Sequence, residues 1–373
     1  MPRAPAGVLA LTLNSSLGGT EKSLLSLYAS MDKSVFRPCI VTLIGDGSLT
    51  RLALARGLDA VHLNMRGPSD AGVVVRLAEL FRSRDISILH TYLYPTGILG
   101  RLLGWACNTP IVICSQRSTD DWRGDWLCQL DRWSQGFVSC YLANCRVVAG
   151  RLSGRQRIAE DKIRVIQTRI EPLGESSTKA VLELRRAHGI AGDALVIGTV
   201  ANLREAKGHS VLVTAAKKVI EKYPGVVFVW VGDGLLRKVL EEKIAAEGLA
   251  GNFRLVGFQA DVAAYYRLFR LFVLPSLWEG LPLAVMEAMS AGLPIIASHV
   301  GGIGEIMEDG KEGRLIRPND PDALATAMLD ILASPEEAVS LGRRAHERFQ
   351  RENSLCRYVH ETERLYGEIL ESL

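Results

Sequence analysis

The fold class is decided by residues 275–298, PSLWEGLPLAVMEAMSAGLPIIAS. The apolar run Leu271–Leu274 precedes this stretch, a glycine-containing loop opens it, and a second apolar run, Pro294–Ala297, closes it. Pro282 stands where the first residue of a helix is expected, because that position needs no N–H partner. Two fully apolar strands joined by a helix are typical of a parallel sheet covered on both faces. The stretch therefore predicts an α/β fold.

The same alternation of apolar runs and helical stretches extends outward along the chain and occurs twice. The predicted strands are Val8–Leu13, Cys39–Ile44, Ile86–His90, Ile111–Cys114, Ile163–Ile166, Leu195–Val200, Val226–Val231, Arg254–Val256, Leu271–Leu274 and Pro294–Ala297. Thr20 is the expected N-cap of the first helix. Residues 167–178, QTRIEPLGESST, interrupt both periodicities and are interpreted as an interdomain linker. We therefore predict two doubly wound, Rossmann-like domains, residues 1–170 and 171–353, and an amphipathic helix over 354–373.

Composition and charge exclude several classes of protein. The 373 residues are 48% hydrophobic and 23% charged, which argues against a disordered, collagen-like or disulfide-stapled chain. The 44 basic and 41 acidic residues leave a net charge of +3, which argues against an obligate nucleic-acid binder. The halves differ, since residues 1–170 hold 21 basic and 13 acidic residues (+8) and residues 171–373 hold 23 and 28 (−5). A basic first half suggests an anionic partner there, either a membrane surface or a soluble phosphate.

The cysteines and the N-terminus indicate the compartment. The seven cysteines include no C-x-x-C pair, so the sequence signals neither a disulfide framework nor a zinc knuckle. The first apolar run is better interpreted as a strand than as a secretory signal. The apolar stretch from Pro95 to Cys107 falls short of the ~20 residues that span a bilayer. We expect a cytoplasmic protein without a transmembrane helix.

Two doubly wound domains place their ligand sites at the carboxyl ends of the strands, hence in the cleft between them. The loop Asn14–Thr20 contains Gly18 and Gly19 directly before a helix, where backbone N–H groups favour an anion, although a plain structural turn is equally consistent. In a second loop, Arg204 and Lys207 could meet a diphosphate without a metal, or could form a solvated basic turn.

The third loop belongs to the stretch quoted first. The free amides of Leu283 and Ala284, at the start of its helix, would form a phosphate site. Glu279 and Glu287 flank that site. Carboxylates do not bind phosphates, so these two are expected to accept hydrogen bonds from sugar hydroxyls.

These segments together resemble the GT4-type retaining glycosyltransferases (glycosyl transferases group 1) of the GT-B fold. The matching segments are GGTEKSLLSL (18–27), NLREAKGH (202–209), VGDGLLRKVLEE (231–242), residues 275–298 with their E-x7-E pair, and VGGIGEIMEDGKEGRLI (300–316). The resemblance is strong over residues 195–330 and looser over residues 1–170. It implies two Rossmann-like domains facing across a cleft, an N-terminal one for the acceptor and a C-terminal one for a nucleotide sugar. It also implies that the helix over 354–373 returns to the N-terminal domain.

The resemblance also implies roles for individual residues. Glu287 should hold the ribose hydroxyls and Glu279 the donor sugar ring. Arg204 and Lys207 should neutralise the leaving diphosphate, so that Glu279, Arg204 and Lys207 form the expected catalytic set. The segment 257–259, which contains Phe258, should lie near the nucleobase. The remaining implied donor contacts are Gly18, Gly19, Gly280, Leu281, Pro282 and Leu283.

No metal or other cofactor is expected. Preorganised cations and a helix N-terminus stabilise the charge that develops on the diphosphate. The single D-x-D string, at residues 320–322, is better interpreted as an N-cap, Asp320, followed by a proline at the first helical position.

The chain departs from the family pattern at several positions. Arg117 stands in a loop where many relatives have histidine, and it cannot act as a general base. Asn202 replaces the first arginine of the common G-R-L-x-x-x-K-G loop, so its cationic role is assigned to Arg204. Residues 168–169, Thr-Arg, replace a frequent Asn-Gly.

The acceptor side is less well marked. His90, Tyr92 and Arg117 are the candidate acceptor contacts, although a lone histidine at a strand end is more often structural. Core packing is the favoured interpretation for three tryptophans, Trp122, Trp126 and Trp133, with exposure toward an acceptor as the alternative for Trp122 because it stands among charged residues. A cationic run either forms a solvated helix face or adsorbs to anionic lipid, which would suit a lipid-linked acceptor. Its members are Arg146, Arg151, Arg155, Arg157, Lys162 and Arg164.

Three functions remain open from the sequence. The first is transfer of a sugar, with retention, from a UDP- or GDP-sugar to a carbohydrate or lipid-linked acceptor in polysaccharide or glycolipid biosynthesis, at the inner face of the cytoplasmic membrane. The second is a nucleotide-sugar epimerase or phosphorylase on the same fold. The third is a non-catalytic nucleotide-sugar-binding subunit, suggested by the departures at Arg117 and residues 168–169.

Overall fold

The structure, a computed structural model, describes residues 4–67, 70–120 and 122–372. The chain divides into two compact units, one formed by residues 1–169 together with 354–373 and the other by residues 170–353. Each unit is a parallel sheet with helices on both faces. The predicted α/β class is confirmed.

The N-terminal unit contains a seven-stranded parallel sheet in the order β3-β2-β1-β4-β5-β6-β7. Its strands are β1 (Ala6–Asn14), β2 (Phe36–Ile44), β3 (Asp59–His62), β4 (Ile86–Tyr92), β5 (Ile111–Gln116), β6 (Cys140–Ala143) and β7 (Ile163–Val165). Its helices are α1 (Gly19–Ser30), α2 (Ser48–Ala55), α3 (Ala71–Arg84), α4 (Tyr94–Ala106), α5 (Asp125–Ser134), α6 (Arg146–Gly154) and, from the end of the chain, α15 (Leu355–Glu371).

The C-terminal unit contains a six-stranded parallel sheet in the order β10-β9-β8-β11-β12-β13. Its strands are β8 (Val196–Val200), β9 (Val227–Val231), β10 (Phe253–Gly257), β11 (Leu271–Leu274), β12 (Ile295–Ser298) and β13 (Arg314–Ile316). Its helices are α7 (Thr178–Ala187), α8 (His209–Lys222), α9 (Arg237–Ala246), α10 (Ala263–Leu268), α11 (Leu283–Ser290), α12 (Ile303–Ile306), α13 (Pro321–Ala333) and α14 (Pro335–Glu352).

Both faces of each sheet are buried, as the apolar strands predict. In β1, Val8 packs on one face with α1 and α15, and Leu9 packs on the other face with α3 and α6. In β9, Val229 and Trp230 divide between two clusters in the same way. Successive residues of a strand point to opposite faces, so a central strand must be apolar throughout.

Some predicted details are wrong by a few residues. Helix α1 has Gly18 as its N-cap instead of Thr20, and its start is held by a hydrogen bond from the Gly18 N–H to Glu21. Pro282 is the N-cap of α11 and not its first residue. The short strands β3, β6 and β13 were not predicted, because three or four residues carry too little periodicity to be distinguished.

The interpretation of three tryptophans as core residues is wrong. Trp122, Trp126 and Trp133 are 58%, 70% and 74% exposed. Helix α5, which carries two of them, instead buries the carboxylate of Asp131 against Arg101. Helix α5 therefore has Asp131 on its inner side and the indoles of Trp126 and Trp133 on its outer side.

None of the described helices is both long and apolar enough to cross a bilayer.

Candidate functional site

The strand order of the C-terminal sheet identifies where its ligand site should be. Strand β8 lies between β9 and β11, so the chain reverses direction across the sheet at the β8 and β11 pair. In open α/β sheets, ligands bind outside the carboxyl ends of the strands at such a switch point. Both predicted chemical loops follow these two strands, residues 201–208 after β8 and residues 275–282 after β11.

The loop after β8 is held by backbone hydrogen bonds on two sides. The Leu203 N–H donates to the Asp233 carbonyl at 3.0 Å, and the Leu277 N–H donates to the Ala206 carbonyl at 2.8 Å. Gly208 has a left-handed conformation, φ +64°, and a Cβ added there would lie 1.9 Å from the Pro275 carbonyl oxygen. Only glycine permits both the conformation and the close approach of the two loops.

Lys207 and Glu279 meet where the two loops touch. The Lys207 Nζ lies 2.5 Å from Glu279 Oε1, and the Ser276 hydroxyl donates to the same oxygen at 2.8 Å. The Glu279 side chain is almost fully buried, whereas a quarter of the Lys207 side chain is exposed. The structure thus joins two residues that are 72 positions apart in the sequence. The buried carboxylate fixes the ammonium group in place.

Arg204 lies at the start of the same loop and is exposed. Within the described ranges, its guanidinium has neither a hydrogen bond nor an ion pair. In this respect Arg204 differs from Lys207, which is ion-paired. An exposed, unpaired arginine can bind an incoming anion without first breaking an ion pair. Its predicted role at a diphosphate stays a prediction.

Helix α11 directs its first turn toward this edge of the sheet. It begins at Leu283, and the N–H groups of Leu283 and Ala284 belong to the first turn, which has no intrahelical acceptors for them. The Gly302 N–H donates to the Gly280 carbonyl at 2.6 Å and supports the loop from behind. The arrangement suits an anion, because the helix dipole adds to these free amides.

Glu287 lies on α11 and is held by a residue that the sequence did not single out. The Tyr266 hydroxyl donates to Glu287 Oε2 at 2.8 Å and lies 3.1 Å from the Ala284 carbonyl oxygen. Tyr266 is fully buried, and its burial, with the nearby Glu287 charge second, raises the pKa of the phenol well above 10. The phenol therefore stays a hydrogen-bond donor at any physiological pH, and Glu287 keeps one oxygen for another partner.

Phe258 follows β10, two strands from β8 at the same sheet edge, and half of its side chain is exposed. The preceding Gly257 has φ +76°, and its carbonyl accepts from the Gly232 N–H at 2.9 Å. An exposed ring on a fixed turn can stack on a planar group. The predicted nucleobase contact stays a prediction.

His209 is a buried residue of this region to which the sequence analysis gave no role. It is the first residue of α8 and only 2% exposed. Neither ring nitrogen has a hydrogen-bond partner among the described residues, and its ring packs edge-on against Trp230 at 4.8 Å. Burial, aided by the Lys207 charge, lowers its pKa to about 3. The ring is therefore neutral, and no local sequence pattern distinguishes it from an exposed histidine.

The D-x-D string forms the start of a helix, as its proline predicts. The Asp320 carboxylate accepts from the Ala323 N–H at 2.9 Å as the N-cap of α13, which has its proline at the first position. Asp322 forms an exposed ion pair with Lys218.

In the N-terminal unit the corresponding switch point lies between β1 and β4. Gly18 and Gly19 follow β1, and the Gly18 N–H is occupied by the Glu21 carboxylate at 3.2 Å. Glu21 is buried. The expectation that Gly18 and Gly19 contact a donor stays a prediction.

His90 and Tyr92, at the end of β4, lie in a closed polar network and are fully buried. His90 Nδ1 lies 2.5 Å from the Tyr366 hydroxyl, and its Nε2 lies 2.7 Å from the Ser115 hydroxyl. The Tyr92 hydroxyl lies 2.9 Å from that of Tyr28. Their polar atoms are used within the unit, which favours the structural alternative over direct acceptor contact.

Arg117 lies beside this network and is partly exposed. Its guanidinium donates to the Thr168 hydroxyl at 2.7 Å and to the Ser23 hydroxyl at 3.0 Å, and it stacks over the Tyr92 ring. Two of the positions that depart from the family pattern, Arg117 and Thr168, therefore contact each other.

Comparison with known proteins assigns both units. The family model for glycosyl transferases group 1 matches residues 181–348, and that for the glycosyl transferase 4-like domain matches residues 18–169. The putative glycosyltransferase EpsF of Bacillus subtilis (strain 168) is 29% identical over 294 residues, 75% of this chain and 76% of that protein.

Two further relatives agree. The Escherichia coli UDP-Gal:alpha-D-GlcNAc-diphosphoundecaprenol alpha-1,3-galactosyltransferase is 28% identical over 70% of both chains. The crystal structure of Anabaena HepE in complex with UDP-glucose superposes with a TM-score of 0.86 at 19% identity, covering 98% of this chain and all of that one. At that identity the superposition shows the fold alone, which is GT-B. The two matched domains, their order and the fold together confirm the resemblance, and the chain belongs to the group 1, GT4-type glycosyltransferases.

Proposed function

We propose that this glycosyltransferase moves a sugar, with retention at the anomeric carbon, from a UDP- or GDP-sugar to a carbohydrate or lipid-linked acceptor. The observation that carries the proposal is the contact between Lys207 and Glu279 at the switch point of the C-terminal sheet. It places a fixed cation and a buried carboxylate beside the first turn of α11. A cation binds a diphosphate and a carboxylate binds sugar hydroxyls, so a nucleotide sugar needs both groups next to each other.

The proposed chemistry needs charge stabilisation at the leaving group. The bond between the anomeric carbon and the diphosphate oxygen breaks, and its electron pair goes to that oxygen. Lys207, Arg204 and the first amides of α11 stabilise the developing negative charge. The acceptor hydroxyl then bonds to the same face of the sugar, and its proton goes to the leaving phosphate oxygen. No side chain has to act as a base, which is consistent with Arg117 in place of a histidine.

The proposed sugar and ribose contacts follow from the carboxylates. Glu279 keeps one oxygen free, because both Lys207 and Ser276 bind Oε1. We assign that free oxygen to the donor sugar ring and the second oxygen of Glu287 to the ribose. The cations at this site make a bound metal unnecessary, so we propose transfer without one.

The donor is either a uridine or a guanosine nucleotide sugar, and two relatives support a uridine nucleotide. HepE forms a complex with UDP-glucose, and the Escherichia coli relative is a galactosyltransferase for UDP-Gal and a diphosphoundecaprenol-linked acceptor. A lipid-linked acceptor places the proposed reaction at the inner face of a membrane. The reducing cytoplasm suits the seven cysteines, which form no disulfide within the described residues.

Nucleotide-sugar binding and transfer test the proposal separately. UDP-, GDP- and ADP-sugars are screened for thermal stabilisation, since a ligand at 100 times its Kd adds about 2.7 kcal/mol. Transfer is then measured by release of the nucleoside diphosphate, and the anomeric configuration of the product by NMR. An inverted product would contradict retention. Epimerised free nucleotide sugar would indicate an epimerase, and binding without transfer or hydrolysis would indicate a non-catalytic subunit.

Two variants connect this activity to the site. Lys207→Ala and Glu279→Ala should each lower kcat/KM by roughly a hundredfold or more, because each removes a preorganised charge. Lys217→Ala is the matched control, since Lys217 lies on α8 in an exposed ion pair with Glu247 and outside the site. Full transfer by both site variants would overturn the assignment.

A further inference from the structure

The N-terminal unit carries a cluster of exposed apolar side chains that the proposed transfer reaction does not use. We call it the tryptophan face and define it by Leu102, Trp105, Trp126, Trp133 and Phe137. Their side chains are 59%, 67%, 70%, 74% and 46% exposed. Large apolar residues that are exposed singly are ordinary, whereas a cluster of five marks an interaction surface.

The five residues lie on two helices and on the turn that follows one of them. Trp126 and Trp133 are seven positions apart on α5 and therefore share one side of that helix. Phe137 lies in the turn directly after α5, and its ring packs edge-on against Trp105 of α4 at 6.3 Å. Leu102 precedes Trp105 by three positions, which places it on the same side of α4. The Trp105–Phe137 contact thus joins the exposed side of α4 to the end of α5.

A buried charge network fixes this orientation. Asp131 on the inner side of α5 is 1% exposed and pairs with Arg101 at 2.7 Å and with Arg123 at 2.9 Å. Rotating α5 to bury its tryptophans would expose Asp131 and would remove it as the ion-pair partner of two nearly buried arginines. Unpaired buried charges are strongly unfavourable. The fold therefore holds the indoles in solvent, where only an external partner can cover them.

Basic residues lie next to α5. Arg132 directly precedes Trp133 on this helix and is exposed. The Lys162 Nζ donates to the Gln135 carbonyl at 2.8 Å, just after α5, and Arg155 donates to the Arg123 carbonyl just before it. Asp125, at the start of α5, is the exposed acidic residue of that helix. Two members of the cationic run, Arg155 and Lys162, thus lie next to the two ends of α5.

Indoles beside cations identify the chemistry of the partner. Tryptophan prefers the interface between headgroups and acyl chains, where its ring is apolar and its N–H stays hydrated. Arginine and lysine at the edge attract anionic headgroups. The net charge of +8 over residues 1–170 also attracts anionic headgroups. We propose that the tryptophan face adsorbs to the headgroup region of a bilayer that contains anionic lipid.

The proposal deepens the proposed function, on which its biological purpose rests, because it brings the chain to the surface that holds a lipid-linked acceptor. It differs from simple electrostatic adsorption in a measurable way. The indoles enter the interface, so part of the binding survives high salt and the tryptophan fluorescence shifts to the blue. Adsorption through cations alone would be lost in salt and would leave the emission unchanged.

Cosedimentation of the full chain with vesicles tests it. The vesicles contain phosphatidylcholine alone or in equal parts with phosphatidylglycerol. We expect the chain to bind the mixed vesicles more tightly and the double variant Trp126→Ser/Trp133→Ser to bind them at least roughly tenfold more weakly. Trp126→Tyr/Trp133→Tyr should retain most of the binding, since tyrosine shares the interfacial preference. Leu235→Ser, at a 92% exposed residue of the C-terminal unit, should bind as the parent does.

The outcomes separate the alternatives. All variants should unfold at the parent temperature, because the substituted side chains are exposed. Undiminished binding by the serine variant, or no binding by the parent, would overturn the inference. So would a parent dimer that the serine variant dissociates, because a second copy of the chain would then cover the face. Vesicle binding without sugar transfer would overturn only the proposed function, and transfer to a soluble acceptor without vesicle binding only this inference.

Discussion

Tyr266 shows how a buried residue can control a predicted ligand contact. Its hydroxyl orients Glu287 from inside the core, although the two residues are 21 positions apart. We predict that Tyr266→Phe raises the donor KM roughly threefold to tenfold and leaves kcat almost unchanged, since a hydrogen bond to a charged group is lost. Steady-state kinetics with varied nucleotide sugar measure this.

Tyr265 provides the control on the same helix. Its hydroxyl lies 3.1 Å from His188 Nε2, away from Glu287. Tyr265→Phe should therefore change stability slightly and the donor KM not at all. An equal rise in KM for both variants would mean that Tyr266 acts through general loosening of α10 and not through Glu287.

The chemical residues of the candidate site could be predicted from the sequence, but their partners could not. Lys207 and Glu279 stand in loops directly after apolar strands, where ligand groups are expected, and the strand order brings them into contact. Ser276 binds the Glu279 carboxylate from within the same loop, whereas Tyr266 reaches Glu287 from another helix, and no local spacing indicates the second contact. The same holds for Arg117 and Thr168, which look like unrelated departures until their side chains are seen to meet.

At the scale of elements, the junction of the two loops depends on one glycine. We predict that Gly208→Ala lowers the free energy of unfolding of the C-terminal unit by at least about 3 kcal/mol, through left-handed strain and the clash with the Pro275 carbonyl. Donor binding should weaken as well, because Lys207 and Glu279 separate when the loops do. Chemical denaturation and nucleotide titration measure the two effects.

Gly225 is the matched position for this test. It also lies beside α8, but a Cβ there would meet nothing within 4 Å, and its φ is not positive. Gly225→Ala should change the free energy of unfolding by less than about 0.5 kcal/mol. A similarly small effect at Gly208 would mean that the loops can separate without loss of the site.

Helix α5 shows why sequence pattern fails for some elements. Its tryptophans suggested a core helix because large aromatic residues are usually buried. The second of its two carboxylates, Asp131, is instead buried, because Arg101 of α4 and Arg123, eight residues before it, pair with it. The outward direction of a helix is set by all its neighbours, and Arg101, 30 residues from Asp131, lies outside any local window. The long apolar strands, by contrast, were found within one to three residues.

At the scale of the molecule, the N-terminal unit is completed by the end of the chain. Tyr366 of α15 binds both His90 and Tyr28, which belong to the first ninety residues. Burial raises the pKa values of the Tyr28 and Tyr366 phenols well above 10, so both remain protonated and can donate. The N-terminal unit therefore cannot be complete until residues 354–373 have been synthesised.

Each unit also contains one buried, neutral histidine, His90 in the first and His209 in the second. Burial, with Arg117 near one ring and Lys207 near the other, lowers both pKa values to about 3. Below pH 6.5 the unfolded chain binds protons that the folded chain does not, so the free energy of unfolding must fall as the pH falls from 6.5 toward 3. We predict a loss of about 2 kcal/mol per histidine at pH 5 relative to neutral pH.

Substitution separates the two contributions. His90→Gln should flatten the pH dependence of the N-terminal unit and His209→Gln that of the C-terminal unit, whatever either change does to stability at neutral pH. Exposed His360 supplies the control, since His360→Gln should leave both profiles unchanged. Unfolding midpoints between pH 5 and pH 7, followed for each unit, measure this. An unaltered slope in both buried variants would mean that carboxylates, and not these histidines, cause the acid sensitivity. The free energy of unfolding of both units is therefore expected to fall over the same pH range, although the two histidines stand in unrelated stretches of sequence.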